Sequence, residues 1–269
     1  MENSEKFTVK LAKDIWNTAI RILGDIKIFK FPFFLVYDPG SYLIKGRQMR
    51  EIMQKVRPGD ILVRGFNNYL DGKLIPGTFS HVALYLGTIK PEDEQFIETE
   101  KGRDVFSSGK GMVIHAMMEG VKLDDILDFG RCDHLAILRF PGSMQRNDRY
   151  VESEQEHHHC TDNEKAIFSK LVAGESVKLK DVFPVIYQKS LSQLGKEYDS
   201  WFDFRDDHEV SCTEFVERCI CCLEPYHGIK PTVRKFHFIE KEYLAPDDFV
   251  KSPLKLIWTS EVGETKVKD

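Results

Sequence analysis

Four short runs of β-branched and apolar residues constrain this chain most: Ile61–Arg64, His81–Gly87, Met112–Met117 and His134–Phe140. Gly, Pro and Asp bound them, as is usual for strands. Arg57-Pro58-Gly59-Asp60 supplies a turn ahead of the first. Their consecutive order predicts an antiparallel meander curled into a small barrel, and hence an α+β fold if a helix covers one side.

The helix that best fits that role lies far downstream. In Val210-Ser211-Cys212-Thr213-Glu214-Phe215-Val216 a serine stands three residues before a glutamate, the reciprocal pattern that fixes a helix start. Phe215, Val216, Cys219, Ile220 and Leu223 then recur at the spacing of one buried helical face. Cys212 falls on the first turn, where unpaired N–H groups and the helix dipole favour a thiolate. It is also the first residue of the apolar stripe, and on the helix alone a buried structural cysteine is the favoured reading.

Around this frame, Val9 to Leu23 carry helical spacing within 8–27, followed by the aromatic segment Phe31–Tyr37 and a second helix near 46–56. The aromatic segment is far short of the roughly 20 residues that span a bilayer. It reads as packing between the first helix and the body, or as a peripheral membrane contact. Residues 141–163 read as a polar loop. Their His157-His158-His159-Cys160 cluster is taken as surface, because adjacent histidines cannot all reach one ion from a regular element. Thr161 and Glu164 open another helix, a further one spans about 181–194 up to Gly195, and the tail from 259 reads as flexible. The expected organisation is a helical extension over 1–55, a domain over 56–258 with an insertion at about 141–194, and the tail 259–269.

Composition narrows the function classes. The formal net charge is -5, with acidic and basic residues interspersed, which argues against a nucleic-acid groove. The six cysteines show neither a regular disulfide framework nor paired Cys-x-x-Cys motifs, so neither a zinc module nor any cofactor is expected. With a charged start and no signal-like apolar core, the expected location is a reducing, cytoplasmic one.

A nucleophilic cysteine needs a base, and the base needs an orienting partner. His81 opens the second strand and His115 lies within the third. Alternation puts His81 with Ala83 and Tyr85, and His115 with Val113 and Met117, so paired strands would set the imidazoles side by side. His134, His208, His227 and His237 have weaker settings; His208 reads as a rim residue.

The strings Pro58-Gly59-Asp60-Ile61-Leu62-Val63-Arg64 and Phe79-Ser80-His81-Val82-Ala83-Leu84-Tyr85-Leu86-Gly87 resemble the start of the circularly permuted NlpC-type papain-like cysteine hydrolases, in particular their YiiX/YebB-like branch. Val113–Ala116, Gly120-Val121, Gly195–Asp199, Ser211–Val216 and Ala245–Phe249 extend the likeness over about 56–258. The resemblance implies a permuted papain-like fold, a small antiparallel barrel-like sheet packed against the helix of the nucleophile. By position it makes Cys212 the nucleophile, His81 the general base and His115 the third polar residue. Tyr198 and Ser80 are the corresponding oxyanion or substrate-binding candidates. Many sequences of that branch have glutamate where His115 stands, whereas lecithin:retinol acyltransferase-like proteins have histidine; Glu119 is an alternative orienting carboxylate. The implied activity is a thiol-dependent amidase or peptidase working through a thioester. A lipid-directed thiol acyltransferase or lipase, and a non-catalytic binding protein on the same fold, are the alternatives. Its partner would be a peptide, amide or lipid-derived acyl substrate.

Overall fold

The computed structural model describes residues 42–67, 77–148, 150, 160–200, 208–231 and 243–260, and the backbone alone of 26–30, 33–37, 232–236 and 239–242. Its centre is a six-stranded sheet of β1 (Ile61–Gly65), β2 (His81–Ile89), β3 (Gly109–Met117), β4 (Gly120–Asp125), β5 (His134–Arg139) and β6 (Lys255–Thr259). The spatial order is β6-β5-β1-β2-β3-β4, and every neighbouring pair is antiparallel.

This corrects two expectations. The sheet is open, with β6 and β4 at its edges, so it is not the barrel the strand runs suggested. Nor do the four runs form a meander. After β4, the turn Ile126–Phe129 carries the chain across one face, and β5 returns beside β1. Residues 120–125 escape notice as a strand because Lys122, Asp124 and Asp125 dilute their apolar content.

Burial divides the sheet by residue parity, as a pleated surface demands. One face carries Ile61, Val63, Val82, Leu84 and Ile114. It packs against helices α3 (Leu179–Ser192) and α4 (Cys212–Ile220) through Val182, Ile186, Phe215 and Val216. The other face carries Leu62, Ala83, Tyr85, Val113 and Ile137 beneath Phe129, Ile126 and Ile52 of α1 (Gly46–Lys55). The helix starting at Asp162 is present as α2 (Asp162–Val172) with its Thr161–Glu164 capping box. Within the expected loop, Ser143–Met144 pairs with Val177–Lys178. Phe33–Tyr37 of the aromatic segment pairs antiparallel with Ile26–Lys30. Most of the expected 8–27 helix, His157–His159 and the tail beyond 260 lie outside the described residues.

Two acidic residues anchor the strands that matter for the site. Asp60, 1% exposed, takes both ends of the Arg139 guanidinium fork at 2.6 and 2.7 Å and also the Arg57 amide, fixing the turn into β1. Asp247 accepts the Thr78 and Phe79 amides at 3.2 and 2.9 Å and so fixes the approach to β2. Gly77 makes room for it: φ is +139°, and a Cβ there would lie 2.6 Å from an Asp247 carboxylate oxygen.

Candidate active site

Helix α4 begins as its sequence dictates. The Ser211 hydroxyl accepts the Glu214 amide at 3.4 Å, and the Glu214 carboxylate accepts the Ser211 amide at 2.6 Å. Such a cap is worth about 1 kcal/mol and sets which residue is first in the helix, here Cys212. The β2–β3 ladder ends at the Leu84–Ile114 pair. Two residues further along, the Val82 amide hydrogen-bonds the Cys212 sulfur instead. The thiol thus reaches the sheet where the two histidine strands part, at the amide of the residue after His81, and its hydrogen bonds run to backbone amides rather than to either imidazole.

Across that parting, His81 Nε2 and His115 Nδ1 are 2.8 Å apart, and His115 Nε2 lies 2.8 Å from Asp124 Oδ2. The expectation that the imidazoles stand side by side is met. They meet edge to face at 73°, and Phe129 covers both, with ring centroids 5.9 Å from His81 and 5.3 Å from His115. Asp124 was missed by sequence reasoning because residues 120–125 were not read as a strand. Once β4 is drawn, Lys122 is the register partner of His115 and Asp124 lies two residues on, on the same face. The alternative Glu119 sits exposed in the turn between β3 and β4.

The order of partners fixes the protons. Hydrogen bonds from His115 and Lys122 outweigh the effect of burial and draw the Asp124 carboxyl down to about 2, so it accepts the His115 Nε2–H. Neutral His115 then offers Nδ1 as acceptor to His81 Nε2–H, which leaves the lone pair of His81 on Nδ1. Burial lowers both imidazoles, His115 to about 4 despite Asp124 and His81 well below its ordinary value. The resting histidines are neutral.

Arg64 is a second component that sequence reasoning missed. It is the register partner of His81, buried, donates to the Phe129 carbonyl at 3.0 Å and lies 4.3 Å from the centre of the Phe129 ring. Its charge works against imidazolium at His81 and His115 and is attracted by thiolate at Cys212. A cation closing an otherwise apolar strand run is the signal that would have exposed it.

Cys212 is 2% exposed. Burial pushes its thiol up to about 11, although the amides of Val82, Thr213 and Cys212 pull the other way. The thiolate expected from a helix N-terminus is therefore not the resting state: desolvation outweighs the amides. Ser80 is half-buried, next to His81, with its amide bonded to the Arg64 carbonyl at 3.0 Å. Tyr198 is half-buried against the core that includes Cys212. Bonds from Glu197 to His208 and from Val210 to Glu197 hold its segment beside the approach to α4. His208 is exposed, as a rim residue should be, while His134 pairs with Asn67 and His227 with the Ile220 carbonyl and the Ile229 amide.

In comparisons with known proteins, no protein-family model and no curated protein matches this chain. Among the described residues no helix is long and apolar enough to cross a membrane.

Proposed function

We propose that this chain is a thiol-dependent hydrolase acting on amides or peptides, with Cys212 as nucleophile, His81 as general base and His115 as the residue that orients it. The observation that carries the reading is the line His81–His115–Asp124, with 2.8 Å at each step, which starts one residue along β2 from Val82, whose amide bonds the Cys212 sulfur.

The charge state favours general-base attack over a preformed ion pair. As the sulfur approaches a carbonyl, His81 Nδ1 takes the thiol proton, and the imidazolium that forms donates through Nε2 to His115. The bond from His115 to Asp124 tightens as that positive charge develops. His81 then returns the proton to the leaving amine, and water, activated by the same nitrogen, hydrolyses the thioester at Cys212. The amide of Cys212 at the start of α4 is the assigned oxyanion donor, with Tyr198 and Ser80 as further candidates. General-base help of this kind is worth about 10²–10⁴ in rate.

The test is acyl-enzyme trapping. The chain is incubated with aryl amides, short peptides, aryl esters and phospholipid vesicles, and each cysteine is read by intact-mass and peptide mass spectrometry. The reading expects an acyl adduct on Cys212, lost in His81→Ala. Turnover of vesicle lipid with no amide cleavage would move the assignment to the lipid-directed acyltransferase. An unmodified Cys212 under every donor would leave the non-catalytic binding protein.

A further inference from the structure

At the far end of α4 a second cluster of metal-ligating side chains has no part in the chemistry above. Cys160 precedes α2, Glu164 lies in its first turn, and Cys221 is the residue that ends α4. All three are buried, and their donor atoms lie within 4.8 Å of one another. We propose that Cys160, Glu164 and Cys221 form a binding site for a thiophilic divalent cation of the zinc type, which pins the end of the Cys212 helix to the start of α2.

The donor set and the spacing of Glu164 from Cys221 support this. Two thiolates and a carboxylate are a zinc-type combination, whereas Mg²⁺ and Ca²⁺ take oxygen alone. With Zn–S about 2.3 Å and Zn–O about 2.1 Å, tetrahedral ligands place sulfur and oxygen about 3.6 Å apart. Glu164 Oε1 is 3.7 Å from the Cys221 sulfur. The other oxygen, Oε2, is held by the Thr161 amide at 2.7 Å, the Thr161 hydroxyl at 2.8 Å and the Lys189 ammonium at 3.5 Å. The carboxylate is thus oriented from behind with one oxygen turned toward sulfur, as supporting partners orient metal ligands.

The competing account of the two sulfurs, which meet, is a disulfide. The Cα atoms of Cys160 and Cys221 stand 7.2 Å apart, beyond the range of about 4.4–6.8 Å that disulfides usually occupy. Charge balance favours the cation as well. Two thiols release two protons as one dication enters, so the net charge of this buried cluster is unchanged, and Lys189 still offsets Glu164. The fourth position would fall to water or another exchangeable ligand.

The test is titration of the intact chain, reduced and held without oxygen, with Co²⁺ and then Zn²⁺. The expected result is one Co²⁺ per chain, with thiolate-to-cobalt charge-transfer absorption that Zn²⁺ abolishes. An indicator dye should report two protons released per ion. Cys160→Ser and Cys221→Ser should each remove the charge-transfer band, and Cys219→Ser should keep it. Glu164→Gln should weaken binding by more than the roughly 10- to 100-fold that losing a supporting partner costs. The proton count and Zn²⁺ displacement in the unaltered chain stand as an independent reading that does not depend on the serine variants folding. A reduced chain that takes up no Co²⁺, or takes it up equally after Cys160→Ser, would overturn the proposal. So would a Cys160–Cys221 disulfide recovered from chain isolated without oxygen.

Discussion

The two ends of α4 carry the same residue type in opposite circumstances. Cys212 at its start and Cys219 and Cys222 at and beyond its end are all buried, and burial raises their thiols to about 11, about 12 and about 12. Desolvation therefore barely separates them. Their partners do: the Val82 amide of β2 bonds the Cys212 sulfur beside the strand position of His81, while Ser190 of α3 bonds Cys219 away from the histidines. On the proposed mechanism it is the setting of a cysteine, more than its resting acidity, that marks it for chemistry, because a base can take the proton during attack.

The largest expected effect is Cys212→Ala, which should abolish the acyl-enzyme outright, while Cys219→Ala should leave it intact; adduct mass on each variant reads both. Loss of the adduct in Cys219→Ala alone would reverse the comparison. Next, His81→Ala should cost about 10²–10⁴ in turnover, the range of general-base help. Asp124→Asn should cost less. A hydrogen bond to a charged partner is worth about 1.5–3 kcal/mol, or about ten- to a hundredfold in rate, read as kcat over its pH profile.

A smaller effect is on stability, and its sign follows from proton binding. His115 has an ordinary value of 6.5 and about 4 when folded, so below pH 6.5 the unfolded chain binds more protons than the folded one. The contribution is complete above about 6.5 and is lost as pH falls through about 4. Its size is about 3 kcal/mol. Denaturant midpoints should decline over that window, and His115→Gln should flatten the decline. Smallest of all, Glu119→Gln should change turnover less than twofold, as expected of an exposed turn residue; a large loss would return the orienting role to Glu119.

Much of the site was legible before the fold. The capping box at Ser211 and Glu214 is local chemistry, complete within four residues, so it placed Cys212 on the first helical turn. Strand alternation put His81 with Ala83 and His115 with Val113, and the sheet keeps both relations. Asp124 and Arg64 were not legible as partners. Each acts through cross-strand register, a relation between segments that neither segment encodes alone. The small barrel failed for the same reason: strand runs report which residues prefer extended backbone, while strand order depends on where the connection at Ile126–Phe129 finds buried surface.

The sequence by itself determined what short-range physics can: the strand runs, the helix starts and the faces on which His81, His115 and Cys212 lie. Only the tertiary structure decided that β5 returns beside β1, that Asp124 completes the histidine line, and that Cys160 and Cys221 meet around Glu164. These contacts join residues far apart in the chain, and their free energy exists only once the core has closed and removed the surrounding water.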